Sequence, residues 1–273
     1  DLPSFPTRRS SDLLEVVRWR ATEGLGRPFA FEITVARQAD QGALDVPAFL
    51  DQPATFRVAT EKRWRNVHGI IVAAEEVDRT RSFHLYRFGV APPSFRMTQR
   101  VRFRTFVDTT LRDVLVALLE NRSVAHPNGY GGLTPRSDAP AAGSAAPSFD
   151  AFSPAKLEYR FAVEDTSRLD DASLRSYVVQ YGESDHDLLH RLLEEEGLTY
   201  FFEHADDALV MTIVDRPGVV SPLEREETRS IRVDAEGTDV SEREVIRSLR
   251  RADALLWGGT SARDWDPKRS QAP

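Results

Sequence analysis

The sequence predicts a β-rich α+β fold, and three observations carry that prediction. Residues 14–95 hold several short β-favouring stretches separated by turn residues. Two later stretches space their leucines and valines as a buried helix face does. Tyr177 to Val214 reads in order as strand, capped helix, strand and returning strand. With 273 residues, 41% hydrophobic and 29% charged, the chain has ample material for a buried core.

The first residues stand apart. Ser4 to Leu13 (SFPTRRSSDL) resembles a translated sequencing-adaptor read-through, so residues 1–13 are expected to be a non-native tail and are left out of fold reasoning. Phe29 to Val35 is the first clear strand, with Gly24, Gly26 and Pro28 as turn residues before it. Ala48 to Gln52 suits a short turn of helix. Thr55 to Ala59, Val67 to Ala73 and Phe83 to Phe88 are further strands, and Gly69 marks a bulge or a close approach. Short strands with turns between them point to a barrel or sandwich.

Arg96, Arg100, Arg102 and Arg104 interleave with Val101 and Phe103. They fit a half-exposed strand better than a phosphate-binding stripe, while arginines at a subunit contact or a channel wall are a third reading. After Asp108, Leu111, Val114, Leu115, Leu118 and Leu119 share one helix face, and Asn121 closes it. Residues 127–155 are rich in Pro, Ala, Ser and Gly and read as a long flexible loop.

Tyr177 to Tyr181 is a strand, and Gly182 is expected to break it. Ser184 and Asp187 form a Ser-x-x-Asp capping box, with Asp185 and Asp187 on the first turn where the helix dipole favours them. Leu188, Leu189, Leu192 and Leu193 define the buried face, and Gly197 stops the helix. Glu194, Glu195 and Glu196 read as a solvated helix end. Leu198 to Phe202 and Leu209 to Val214 then pair as a hairpin across Ala205-Asp206-Asp207. Residues 215–273 are weakly patterned, with Val245 to Arg250 as one strand candidate.

Composition excludes several classes. Cysteine is absent, which removes disulfides and thiolate metal sites. No apolar run approaches the roughly 20 residues of a membrane span, and residues 1–15 lack the apolar stretch of a signal peptide. Residues 1–126 carry 19 Lys+Arg against 15 Asp+Glu, and the remainder carries 17 against 28, so the second half argues against a nucleic-acid binder.

Two chemical motifs were weighed. His186-Asp-Leu-Leu-His190 has the two-histidine spacing of a helical zinc site, with Glu203 or His204 as conceivable further ligands. The place of the general-base glutamate is taken by Asp187, and His190 is expected to point well away from the leucine face. Gly182-Glu-Ser-Asp-His186 lacks the last glycine of a nucleophile elbow, and the cap role accounts for Ser184. Both are read as ordinary helix features, leaving no catalytic, cofactor-binding or metal residue. A hydrolase using His186 and His190 is the alternative from another class.

One family resemblance runs through the chain. Gly24-Leu-Gly-Arg-Pro-Phe-Ala-Phe-Glu-Ile33, Phe49-Leu-Asp-Gln-Pro53, His68-Gly-Ile-Ile71, Arg104-Thr-Phe106 and Tyr177 to His204 occur in the order and spacing of type VI secretion spike proteins (VgrG) and contractile-phage tail hubs. The match extends over nearly all of residues 20–215, and Ser261 to Pro267 resembles a later segment. Asp51 stands where that family has glycine, which is expected to change a turn, and Pro92 to Phe95 replaces an aromatic-rich run.

The resemblance implies a phage tail hub-like fold of two barrel-like β domains with an inserted α/β segment carrying two main helices. On it, residues 14–95 form the first barrel-like domain, 96–205 the mixed segment, and 206–273 the start of a second, truncated barrel. It further implies a non-enzymatic structural hub without cofactors. Three copies would form a ring of pseudo-sixfold symmetry against a hexameric tail-tube protein. Baseplate proteins and effector cargo are the other implied partners. Synthesis in the bacterial cytoplasm and export within a contractile apparatus follow from the same resemblance, with a phage baseplate hub as the alternative setting.

Overall fold

A computed structural model describes residues 14–59, 64–122, 156–173, 177–205, 208–216, 232–233, 245–246 and 248–251. The tail at 1–13, the loop at 127–155, the turn residues Asp206 and Asp207, and Ser261 to Pro267 lie outside these. The chain divides into two compact units at Pro222/Leu223. Within the second, the described structure is a short parallel pairing of Arg232–Val233 with Val245–Ile246.

The first unit opens with a five-stranded antiparallel sheet. Its strands are β1 (Glu15–Thr22), β2 (Ala30–Gln38), β3 (Pro53–Ala59), β4 (Trp64–Arg79) and β5 (Phe83–Ala91), in the order β1-β2-β5-β4-β3. β1 was not foreseen, since Glu15, Arg18 and Arg20 obscure its alternation and nearly all of it is exposed. The two edges curl toward each other: Trp19 of β1 meets Phe56 of β3 edge-on, with ring centroids 5.6 Å apart. The result is a half-barrel around Phe29, Phe31, Val35, Val67, Tyr86, Phe88 and Val90. The buried Tyr86 hydroxyl is satisfied by the backbone N–H of Leu44 at 3.0 Å.

Gly69 is a close-approach site. A Cβ there would lie 2.6 Å from the carbonyl oxygen of Ala91 on β5, nearer than real Cβ atoms come. The turn at Asp51 takes the left-handed backbone that glycine favours, with φ 62°. Aspartate tolerates this conformation, and its carboxylate takes the Arg96 Nε at 2.8 Å.

The second core is mixed α and β. A 3-10 segment over Pro93–Gln99 leads into β6 (Val101–Val107), then α1 (Leu111–Leu119), β7 (Glu158–Ala162), a single helical turn α2 (Ser167–Asp170), β8 (Tyr177–Ser184), α3 (Asp185–Glu195), β9 (Thr199–His204) and β10 (Leu209–Val214). Arg96 thus sits on the 3-10 segment, and Arg100 caps it just before the strand begins.

Both main helices form where their ends are satisfied. Thr110 caps α1 by accepting from the Asp113 N–H at 3.1 Å, and Ser184 caps α3 by accepting from the Asp187 N–H at 3.0 Å. Each then closes with paired carbonyl bonds beyond its last turn. Asn121 (φ 55°) and Gly197 (φ 67°) supply the left-handed residue, and Arg122 and Leu198 donate back to Ala117 and Leu193. Leu188, Leu189, Leu192 and Leu193 are buried against α1, β9 and β10, each contributing on the order of 1.5–3 kcal/mol.

β9 and β10 pair antiparallel, and β7 joins β10 in parallel. The expected boundary at 205/206 falls inside this hairpin. The hairpin also links the cores: Leu209 belongs to the half-barrel, Met211 and Ile213 to the helical core, and Phe202 packs against both. β6 and β8 make a separate two-stranded antiparallel ribbon. Gly182 does not end β8. At φ 66° it accommodates a bulge opposite Arg102/Phe103, and the strand runs on to Ser184.

Candidate assembly surface

The β6–β8 ribbon is apolar on its outer face and buries charged groups on its inner one. Its inner face carries Arg102, Arg104 and Gln180 beside the buried Phe106 and Val178, and its outer face is apolar apart from Thr105. Asp185, the first residue of α3, is fully buried (0% exposed) beneath the ribbon. Arg104 Nη2 donates to its Oδ1 at 2.5 Å, the Gln180 amide donates to the same oxygen at 3.0 Å, and Arg100 Nε lies 3.1 Å from Oδ2. Arg104 Nε also donates to Gln180 Oε1 at 2.5 Å, and its guanidinium lies over the Phe106 ring at 5.1 Å. Burial pushes Arg104 below the usual arginine range. Asp185 opposes that shift, and the neighbouring charges of Arg102 and Arg100 add to it. The network clamps ribbon to helix through charge-assisted bonds in a dry setting.

The half-exposed strand expected of these arginines is present over Val101–Val107. The strand is half-exposed, but Arg104 is on its buried side, Arg102 donates to Asn121 Oδ1, and Arg96 pairs with Asp51. Outward stand Val101 (60% exposed), Phe103 (62%), Val107, Tyr177 (65%), Val179 and Tyr181 (81%). Cross-strand pairing sets Phe103 against Tyr181, Thr105 against Val179 and Val107 against Tyr177, so these side chains form one continuous face. The Phe103 and Tyr181 rings meet edge-on with centroids 5.2 Å apart.

The two histidines of α3 lie together, with ring centroids 4.1 Å apart and planes 32° from parallel. His190 does not point away from the packed side as expected. Its Nε2 meets the Tyr200 hydroxyl at 2.9 Å, and burial followed by the charge of His186 pushes its pKa down. The conceivable further ligands are engaged elsewhere. Glu203 accepts from Arg160 and from Thr212, while His204 Nδ1 accepts the His68 backbone N–H at 3.1 Å. Among the described residues no three His, Cys, Asp or Glu gather as a metal site. The Ser184 hydroxyl is taken up by Asp187. Glu196 is not solvated as expected, since its carboxylate is largely buried and pairs with Arg168.

His204 carries the link between half-barrel and hairpin. Its ring packs on Phe29 at 5.1 Å and near the His68 ring at 6.3 Å. His68 in turn bonds Ala205 O through Nε2 and the Thr55 hydroxyl through Nδ1, each at 2.9 Å. Burial first, then the charge of Arg65, pushes the His204 pKa down to about 4; Glu23 opposes this and His68 adds to it. Among the described residues no helix is long and apolar enough to cross a membrane.

A clamped half-barrel and helical core presenting an open apolar ribbon is the geometry of an assembly component. The profile of the phage tail baseplate hub (GPD) family matches residues 22–136 and 155–273. The chain belongs to that family.

Among curated relatives, the type VI secretion system spike protein VgrG4b of Pseudomonas aeruginosa is 26% identical over 212 residues, 78% of this chain and 21% of that protein. The spike protein VgrG2b of the same organism is 26% identical over 261 residues, 93% of this chain and 21% of its own length. The chain thus spans about a fifth of the length of these relatives. A solved structure of the E. coli c3393 protein shares the fold, with TM-score 0.58 and 17% identity over 77% of this chain and 48% of that one. It is described as a component of the type VI secretion system with structural similarity to T4 bacteriophage tail proteins gp27 and gp5.

Proposed function

We propose that this chain is the structural hub at the base of a type VI secretion spike. Three copies form a ring that caps the hexameric tail tube, contacts baseplate proteins and carries a puncturing needle with any effector cargo. Residues 14–95 act as a first barrel-like domain, the mixed segment runs from residue 96 through the β9–β10 hairpin, and a second barrel-like domain begins beyond that hairpin. The work is geometric and draws on no catalytic residue, cofactor or metal. The protein is made in the cytoplasm and leaves the cell as part of the apparatus.

One observation carries this reading: the baseplate hub profile extends through both the half-barrel and the residues beyond the helical core. A rigid part is what such a role needs, and the buried Arg104–Asp185–Gln180 clamp together with the His68–His204 link supplies it. The test is reconstitution of full-length protein with preformed tail-tube hexamers, viewed by electron microscopy. Tubes carrying a collar at one end are expected. Tubes that remain bare at every protein concentration would refute the reading.

A contractile-phage baseplate hub is the second reading, favoured by the family's own description as a phage tail component. The genes beside this one separate the two. Sheath, tube and membrane-complex genes of a secretion system fit the first, and capsid and lysis genes fit the second.

A further inference from the structure

We propose that His204 is an acid-released latch: it holds the end of β9 to β4 at neutral pH and lets go when its ring takes a second proton. The latch follows from where the sheet ends. β5 stops at Ala91, opposite Ile70, so the backbone N–H of His68 on β4 lies beyond that ladder. A backbone donor turned into the protein needs an acceptor, and His204 Nδ1 supplies one at 3.1 Å. An imidazole nitrogen that accepts carries no proton, so Nε2 carries it. Among the described residues that Nε2 is buried without a hydrogen-bond partner. The closed joint thus satisfies the His68 N–H, leaves the His204 N–H unsatisfied, and holds only while the ring is neutral. This is a property of the joint and does not depend on the hub role.

A second proton on His204 sits on Nδ1 and faces the His68 N–H, donor against donor. The bond is lost, and a charge is left beside the Phe29 ring. The charged groups that act on the ring are Arg65 and His68 on β4 and Glu23 just after β1, and Arg65 pairs with Glu23. β2 offers Phe29 and β10 sets Leu209 opposite, both uncharged. Burial first, then Arg65, holds the folded pKa down to about 4, with Glu23 opposing and His68 adding. As the pH falls from about 6.5 toward that value, the closed joint weakens by up to about tenfold per pH unit. His68 is not the latch. Its Nε2 meets Ala205 O and its Nδ1 meets the Thr55 hydroxyl, each at 2.9 Å. A hydroxyl donates or accepts, so a second proton on this ring keeps both bonds. One link has no titrating atom: the Gly26 N–H donates to Tyr200 O at 2.8 Å. β9 therefore stays fastened at Tyr200, and release is confined to His204, Ala205 and the β4 backbone at His68.

Hydrogen–deuterium exchange of the full-length protein, read by mass spectrometry and corrected for the intrinsic effect of pH, tests this. Between about pH 6.5 and 4.5, peptides covering residues 67–69 and 203–205 are expected to exchange at least about tenfold faster. Peptides covering residues 188–193, on the buried face of α3, keep their rates. His204→Gln cannot titrate, so exchange at the joint becomes flat across that range, whatever its level. His68→Gln keeps the tenfold response. A response that persists in His204→Gln, or that vanishes in His68→Gln alone, overturns the latch. Unchanged exchange at the joint of the unaltered protein overturns it as well. So does equal acceleration in α3, which is general unfolding rather than release of one joint.

Discussion

Asp185→Ala is the substitution that bears hardest on how the ribbon is held. The carboxylate is fully buried and has three partners: Arg104 at 2.5 Å, Gln180 at 3.0 Å and Arg100 at 3.1 Å. Removing it leaves two guanidinium groups and an amide facing a methyl group. Breaking a buried pair in this way costs about 3–5 kcal/mol, because the surviving charge stays desolvated. Losing the acidic group at the start of α3 adds about 0.3–1 kcal/mol. For a unit of this size, each kcal/mol lowers the unfolding temperature by about 2–4 °C, so a drop of roughly 8–20 °C is expected. Asp185→Asn separates charge from volume and should cost nearly as much. In the Asp185→Ala background, Arg104→Met should cost at least about 1.5 kcal/mol less than in the unaltered chain, since its partner is already gone. Urea titration followed by circular dichroism and intrinsic fluorescence measures the unaltered chain and the four variants. A cost under about 1 kcal/mol for Asp185→Ala would mean that water reaches the site and that the clamp account is wrong.

Four further outcomes follow from the same structure. Ser184→Ala removes the cap of α3 and should cost about 1 kcal/mol in the same titration, with Ser184→Asp recovering most of it. Gly69→Ala forces a Cβ to within 2.6 Å of the Ala91 carbonyl, so strand β4 must shift; a loss of about 1–3 kcal/mol is expected, read by thermal unfolding. His204 stays neutral when folded but takes a proton near pH 6.5 when unfolded. Its contribution is therefore full above that pH and is lost as the pH falls from about 6.5 to the folded value of about 4. Discounted for its partial exposure, the loss is about 1–2 kcal/mol, and His204→Gln should flatten the stability profile across that window. Finally, purified protein and His190→Ala should carry the same negligible zinc by elemental analysis, because His190 Nε2 is held by the Tyr200 hydroxyl and, among the described residues, no third ligand gathers beside the pair.

Much of the local structure was legible because its causes are local. Ser184, Asp187 and Gly197 state the start and stop of α3 within fourteen residues, and the structure carries each of those bonds. Gly69 announced a close approach, and the Ala91 carbonyl lies where its Cβ would be. What could not be read depends on distant partners. Alternation in Arg-Val-Arg-Phe-Arg defines two faces but not which one is buried; that was decided by Asp185, more than eighty positions away, which draws Arg104 inward. Gly182 looked like a strand end because the bulge it serves exists only opposite β6. A helical wheel sends His190 away from the leucines, yet the hairpin that follows brings the Tyr200 hydroxyl to it. The parallel pairing of β7 with β10 joins Glu158–Ala162 to a strand about fifty residues on, and no local signal marks it.

The number of chains in the assembled full-length protein is the most direct measure of whether this is a ring-forming part. Native mass spectrometry, supported by sedimentation at micromolar concentration, is expected to return a mass of three chains. A single chain that stays monodisperse across that range would contradict the account.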